Sequence, residues 1–449
     1  MRELTRVEKA LEAATDTRAL RIGSGILNQV PGLFRELFPG KRAAVVADLN
    51  TFRVAGEAVE KEFKKAGIDQ EPPFVFDDPE LYAEYSYVDR LTAVFENHDA
   101  IPVAVGSGTI NDLVKLSSYL TGRSYLCVAT AASMDGYTAF GASITANGAK
   151  QTFACPAPRA CLADIDIISQ APAEMTASGY ADLFAKIPAG ADWILASGMG
   201  EEAIDRKAWS IVQDGLSDAL SDPQGIASGD REALTRLIEG LMLGGFAMQY
   251  AKTSRCASGA EHQFSHLWNM QHFLNNGKHV SHGFQVSLGL LAVTALYDQL
   301  FRTRIENLDV EAACKVWPSP EESDERATRM FAGTDFPYLG LQETRAKYVS
   351  EEKLKVQLNT LKQNWPEIRS RLEAQIVPLD EARRRLKLVG APVEPEQIGM
   401  SREYLRDSFI RAMAIRRRIT VLDLAFRTGY LDQWMTALFG KGGIWEINK

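Results

Sequence analysis

The sequence predicts an α/β amino-terminal domain with a mostly parallel, Rossmann-like sheet, followed by an all-α carboxy-terminal domain. Three observations carry this expectation. Short apolar runs alternate with helical patterns through the first third, a glycine turn joins one such run directly to a helix, and long amphipathic segments take over from about Pro172. The boundary is expected at 171/172, dividing the chain into 1–171 and 172–449.

The runs AAVVA (Ala43 to Ala47), IPVAV (Ile101 to Val105) and YLCVA (Tyr125 to Ala129) are continuous rather than alternating, as strands buried on both faces are. Helical patterns such as VAGEAVEKEFKKAG lie between them, which fits right-handed crossovers. In the second part, KAWSIVQDGLSDAL, DREALTRLIEGLMLGGFAMQYAK, the segment around EHQFSH, FQVSLGLLAVTALYDQLF and the region from Lys353 to Ala374 each predict a helix. WPSPEES and GAPVEPEQIG read as loops between helices. The first residues, MRELTRVEKALEAATDTRALRIG, are charged and helical, unlike a secretory leader.

Composition limits the function classes. A chain of 449 residues with 46% hydrophobic content can bury a sizeable core, and a net charge of −8 argues against nucleic acid as the main partner. Arg383, Arg384 and Arg385, and Arg416, Arg417 and Arg418, are expected on solvated or oligomer-facing helix surfaces beside acids. Five cysteines, at 127, 155, 161, 256 and 314, form no CxxC pair and no disulfide spacing, which fits a reducing cytoplasm. No apolar stretch reads as a bilayer span.

The chemistry-bearing residues fall into two groups. The chain has only six histidines, concentrated from His262 to His282, and EHQFSH puts His262 and His266 on one helix face by i, i+4 spacing. Asp182, in SGYADLFAK, lies 80 positions before His262. Three of Asp182, His262, His266 and His282 could close around a cleft and hold one borderline divalent ion, with positions left open for water or substrate. Taken singly, Asp182 could pair with Lys186 one turn on, and either helical histidine could be a satisfied core residue. The pattern is not HExxH, because Glu261 precedes His262 instead of following it.

The second group sits at predicted strand ends. IPVAV runs into GSGTINDLVK, where Gly106 and Gly108 let backbone approach a ligand and the amides opening the helix favour a diphosphate. Asn111 stands where the dinucleotide fingerprint has glycine, so a tight turn without a ligand explains this segment equally well. Asp48 ends the strand AAVVAD, where an acid could bind a ribose diol, and VATAASMDGYTA offers the Thr130 and Ser133 hydroxyls and Asp135.

Together GSGTINDLVK, TAASMDGYTA, SGYADLFAK, SGAEHQFSH and SHGFQVSLG, with the tail GAPVEPEQIGMSREYLRDSFIRAMAIRRRITVLDL, resemble the metal-dependent polyol dehydrogenases of the dehydroquinate-synthase-like superfamily. Within that superfamily they are most similar to the sn-glycerol-1-phosphate dehydrogenases, especially the bacterial AraM-like branch. The resemblance covers nearly the whole chain and implies a nucleotide-binding domain, a helical metal- and substrate-binding domain, and an active site in the interdomain cleft. It implies a cofactor site at Asp48, at Gly106, Ser107, Gly108, Thr109 and Ile110, and at Thr130, Ala131, Ala132 and Ser133. Metal ligands would be Asp182, His262 and His282, with Asp135 and His266 on the substrate side. Many relatives carry a serine where this chain has Ala139, beside Thr138.

The implied reaction is NAD(P)H-dependent reduction of dihydroxyacetone phosphate to sn-glycerol 1-phosphate. Nickel or zinc would be the ion, or iron, in a cytoplasmic homodimer. Asp48 favours NAD over NADP by charge. His266 would relay the proton, and Lys150, Lys186 and Lys278 are candidates for the substrate phosphate. His272 and His279 have no assigned role. The alternatives are a glycerol dehydrogenase and a dehydroquinate-synthase-like cyclase, and aspartate at 182 favours the dehydrogenases.

Overall fold

A computed structural model describes residues 4–146 and 149–447. The chain divides into two compact units. The first comprises Met1–Leu183, Lys207–Ser254 and Leu388–Gly390, and the second comprises Phe184–Arg206, Arg255–Lys387 and Ala391–Lys449.

The first unit is organised on a six-stranded sheet. Its strands are β1 (Ala19–Gly23), β2 (Ala43–Asp48), β3 (Phe74–Phe76), β4 (Ile101–Gly106), β5 (Leu126–Ala129) and, after a hairpin of β6 (Ala142–Ala146) and β7 (Ala149–Phe153), β8 (Ala160–Asp164). The order is β1-β8-β5-β4-β2-β3, and every pairing in this sheet is parallel. The three runs singled out in the sequence are its central strands β2, β4 and β5. Their side chains are buried on both faces, which is why the runs do not alternate. On one face Val45, Val103, Val105, Val128 and Leu162 pack with Phe34, Val59 and Phe63. Burying each such side chain stabilises the fold by about 1.5–3 kcal/mol.

The segment predicted wholly helical at the amino terminus splits into a helix, Arg6–Ala13, and strand β1. KAWSIVQDGLSDAL likewise breaks into Arg206–Gln213 and Leu216–Ala219, because Gly215 takes a φ of 83°, a conformation that ends a right-handed helix. The Arg231–Ala251 helix belongs to this unit.

The second unit is helical apart from a two-stranded hairpin at Leu274–Asn275 and Lys278–His279. At its centre lies the His282–Arg302 helix. That helix is long and apolar enough to cross a membrane, but 78% of its apolar window is buried within the fold, which makes it a core helix. WPSPEES departs from the expected loop. Ser319 caps a helix beginning at Pro320, with Glu322 reaching back in a capping box. The expectation for Arg416, Arg417 and Arg418 is corrected too. They follow the Arg402–Met413 helix instead of lying on one, Arg417 pairs with Glu343, and Arg418 donates to the Ser258 carbonyl and hydroxyl. Arg383 to Arg385 do lie on a helix, Leu379–Leu388, paired with Glu394 and Glu381. All five cysteines are free and buried.

Candidate functional site

The carboxyl ends of β2, β4 and β5 bring the sequence-selected nucleotide residues to one sheet edge. Gly106 ends β4 and Ser107 opens the Gly108–Leu120 helix, with no side-chain cap on its first amides. Both glycines are accounted for by protein packing. A Cβ on Gly106 would stand 2.6 Å from Ile110 Cβ, and one on Gly108 would stand 3.1 Å from Met134. Thr130 follows β5, and its amide donates to the Gly106 carbonyl at 3.1 Å, so the two turns are tied together. Ala131 and Ala132 are buried, and the Tyr137 hydroxyl donates to the Ala131 carbonyl at 2.8 Å. Asp48 caps the turn after β2, its Oδ1 accepting from the Asn50 and Thr51 amides at 2.8 and 2.9 Å. Oδ2 has no hydrogen-bond partner among the described residues, so the cap and a ribose contact are compatible.

The loop carrying Asp135 is held from beneath by the same helix. Lys115, whose side chain is buried, donates Nζ to the carbonyls of Gly136, Ala139 and Gly141 at 2.9, 3.0 and 3.0 Å, and lies 3.5 Å from Asp112. Asn111 donates to the Gly136 carbonyl at 3.3 Å and accepts from the Tyr125 hydroxyl at 3.0 Å. Asn111 therefore supports the loop in place of a fingerprint glycine. Burial pushes the Asp112 carboxyl above its usual range, against the pull of Lys115. Thr138, beside Ala139, spends its hydroxyl on the Met242 carbonyl at 2.7 Å.

This loop fixes Asp182. The Ala173–Phe184 helix lies so close to it that a Cβ on Gly179 would stand 1.9 Å from the Ala132 carbonyl oxygen. The Ser178 hydroxyl donates to the Ser133 carbonyl at 3.2 Å, and the Asp135 amide donates to Asp182 Oδ2 at 3.0 Å. Asp182 is fully buried.

His262 and His266 lie on the Ala260–Met270 helix, and His282 opens the His282–Arg302 helix behind the Ser281 cap. The two helices meet backbone to backbone, since a Cβ on Gly289 would stand 2.3 Å from the Glu261 carbonyl oxygen. The rings of His262 and His282 are 5.2 Å apart by centroid, and His266 stands 6.3 and 6.4 Å from them.

The protonation of both candidate ligands follows from their neighbours. Glu261 Oε1 accepts the Gly259 amide at 2.6 Å, so it is also the acceptor for His262 Nδ1 at 2.9 Å. Gln285 Nε2 donates to the Val280 carbonyl at 3.3 Å, which orients its Oε1 toward the Ser265 hydroxyl at 2.9 Å. Ser265 donates there and therefore accepts from His282 Nδ1 at 3.2 Å. With Nδ1 as the donor, a neutral ring at either position would offer Nε2 to a metal, the form a metal binds.

Behind Glu261 lies a second buried carboxyl. Asp192 accepts from the Ala260 and Val421 amides at 2.8 and 2.9 Å and from the Tyr297 hydroxyl at 2.7 Å. Burial, and then the nearby Glu261, push it up to about 7.

Asp182, His262 and His282 form a group that could hold a metal ion. One donor atom from each lies within 4.8 Å of the others, a set no other described histidines, cysteines or acids make. One carboxylate and two imidazoles fit a borderline divalent ion. His266 lies outside that group. Lys278 is exposed, Lys186 is fully buried, and burial lowers the Lys150 ammonium below its usual range. His272 pairs with Asp335 at 2.8 Å, and His279 is exposed. Ser265, Gln285 and Lys115 are supporting residues that no sequence motif marks, while Glu261 and Asn111 show in the sequence only as departures from other motifs.

A parallel α/β unit, and a carboxylate with two imidazoles that could hold one ion, are the features to set beside known dehydrogenases. The family described as iron-containing alcohol dehydrogenase matches residues 21–172. The fold is also that of glycerol dehydrogenase from Schizosaccharomyces pombe, with a TM-score of 0.58 and 15% identity over 94% of this chain and 91% of that one. Curated relatives are closer in sequence. Glycerol-1-phosphate dehydrogenase [NAD(P)+] from Halalkalibacterium halodurans is 32% identical over 297 residues, 66% of this chain and 74% of the relative. That from Geobacillus thermodenitrificans is 28% identical over 385 residues, 85% of this chain and 86% of the relative. The chain belongs to the glycerol-1-phosphate dehydrogenase family.

Proposed function

We propose that this chain reduces dihydroxyacetone phosphate to sn-glycerol 1-phosphate, reversibly, with NAD(P)H and one divalent metal ion. The observation that carries the reading is the convergence of Asp182, His262 and His282 donors within 4.8 Å, in a chain whose relatives are glycerol-1-phosphate dehydrogenases. In function, residues 1–171 hold the nucleotide and residues 172–449 supply most of the metal and substrate side.

Asp182, His262 and His282 are the ligands. When bound there, the ion, with nickel or zinc preferred and iron possible, supplies Lewis acidity to the ketone oxygen, and the nicotinamide supplies hydride. The ligand set carries a single negative charge, so the site keeps net positive charge for a developing alkoxide. Asp135 orients the substrate, and its amide holds Asp182 in place. His266, one turn from His262, delivers a proton to the reduced oxygen. On the nucleotide side, the Gly108, Thr109 and Ile110 amides at the helix start receive the diphosphate beside Gly106 and Ser107. Thr130, Ala131, Ala132 and Ser133 line the adjoining turn, and Asp48 takes the ribose diol and disfavours a 2′-phosphate by charge. The family resemblance extends the reading to a cytoplasmic homodimer.

The test follows NADH oxidation with dihydroxyacetone phosphate, ion by ion, and then identifies the enantiomer formed. Asp182→Ala and His282→Ala are each expected to abolish metal retention and turnover together, and activity surviving either change would remove the metal mechanism. Equal rates on unphosphorylated dihydroxyacetone would reassign the protein as a glycerol dehydrogenase.

A further inference from the structure

We propose that Glu261, and Ser265 with Gln285, are positioning residues that hold His262 and His282 in the metal-binding tautomer by two different means. The inference rests on the metal centre proposed above. His262 is held by a buried carboxylate, at 2.9 Å from Glu261 Oε1. His282 is held by a neutral chain that starts at a backbone carbonyl and runs from Val280 through the Gln285 amide and the Ser265 hydroxyl to Nδ1. Glu261, Ser265 and Gln285 are all buried, so water does not substitute for them at low cost.

The two supports differ in consequence. A carboxylate behind an imidazole raises its basicity as well as orienting it, whereas a hydroxyl only orients. Glu261 Oε2 is buried with no hydrogen-bond partner among the described residues, so its charge is left to act on the ring and the site beyond it. The helix cap does not require that charge, since the Gly259 amide needs only an acceptor at Oε1. Glu261→Gln therefore separates charge from geometry, because the amide oxygen still accepts from both Gly259 and His262. Ser265→Thr, in turn, keeps the hydroxyl that Ser265→Ala removes.

The experiment measures zinc affinity of the full-length chain by competition with a chromophoric chelator, alongside the visible absorption of the cobalt(II) form. Glu261→Gln is expected to weaken zinc binding about tenfold and Glu261→Ala about a hundredfold, the range found when an outer-shell partner of a metal-ligating histidine is lost. Ser265→Ala is expected to weaken it about tenfold and to shift the cobalt bands, with Ser265→Thr restoring both. Glu261→Gln and Ser265→Ala variants that unfold like the wild type and bind zinc as tightly would overturn the inference. If Asp182→Ala abolishes zinc binding in that same series, the metal centre stands and only the positioning roles fall. A wild-type chain that binds no zinc, nickel or iron(II) would overturn both.

Discussion

Gly179→Ala adds a single methyl group at the point where the Ala173–Phe184 helix meets the loop that fixes Asp182. The new Cβ would lie 1.9 Å from the Ala132 carbonyl oxygen, 2.7 Å from its carbon and 3.1 Å from Ser133 Cα. Ordinary contact needs about 3.5 Å, so helix and loop must separate by roughly 1.5 Å, and main chain cannot rotate out of the way as a side chain can. Such overpacking costs about 1–3 kcal/mol. The same separation breaks the 3.0 Å bond from the Asp135 amide to Asp182, which as a bond to a charged group adds about 1.5–3 kcal/mol. Urea unfolding should therefore show a loss of about 3 kcal/mol or more, and turnover should fall on the order of a hundredfold if Asp182 is the ligand proposed above, since a displacement of about 1 Å misplaces the reacting centre. Gly198→Ala is the internal control. Its Cβ would meet Ile368 Cδ1 and Cγ1, both at 2.5 Å, so the clash is as close but falls on a side chain that can turn aside, where Gly179 faces main chain. A Gly179→Ala protein no less stable and no less active than Gly198→Ala would refute the reasoning.

Three further outcomes are expected. Asp48→Asn keeps the cap but removes the charge, so stability should hold while the NADPH-to-NADH ratio of kcat/KM rises several-fold; Asp48→Ala should also lose about 1 kcal/mol in chemical denaturation. Lys115→Met strands three loop carbonyls and the Asp112 carboxylate, and should cost about 3–5 kcal/mol by the same measurement. Asp192 reaches about 7 in the folded chain from an ordinary value of 3.8, so between those limits the folded state binds a proton that the unfolded state has released. Its contribution is intact below about pH 4 and is lost as the pH rises through 7, on the order of 4 kcal/mol in all at 1.36 kcal/mol per unit. Thermal unfolding of the metal-free wild type should show this decline between about pH 4 and 7, and Asp192→Asn should flatten it.

What the sequence revealed follows from how local each signal is. The strands β2, β4 and β5 stand out because burial on both faces forces apolar runs. Strand β1 hides in a charged segment with Arg21 half-way along, and β3 is only the three residues Phe74–Phe76, so their membership of the sheet is a tertiary fact. The Asp-Gly step at Gly215 was a readable break in an otherwise periodic helix, and Ser319 with Glu322 was a readable start. At the site, histidine occurs at only six positions, so the cluster from His262 to His282 stands out in the sequence, whereas the choice of Asp182, His262 and His282 as ligands comes from the family resemblance. Their supports do not stand out, because a serine 17 positions from one histidine and 20 from a glutamine has no pattern until the helices are folded together. Glu261 was set aside because it precedes His262, yet that order is what lets Oε1 serve the Gly259 amide and the ring at once.

The contact of Gly289 with the Glu261 carbonyl fixes by main chain how closely the two helices that carry His262 and His282 approach. No exchange of side chains around the two histidines can narrow that approach, and only a larger residue at 289 would widen it. Redesign toward a different ion would thus have to work through ring rotation and through the charge behind each ring, with the spacing taken as given. In that sense the gauge of the proposed metal site is a property of helix packing, and Gly289 is the position that limits it.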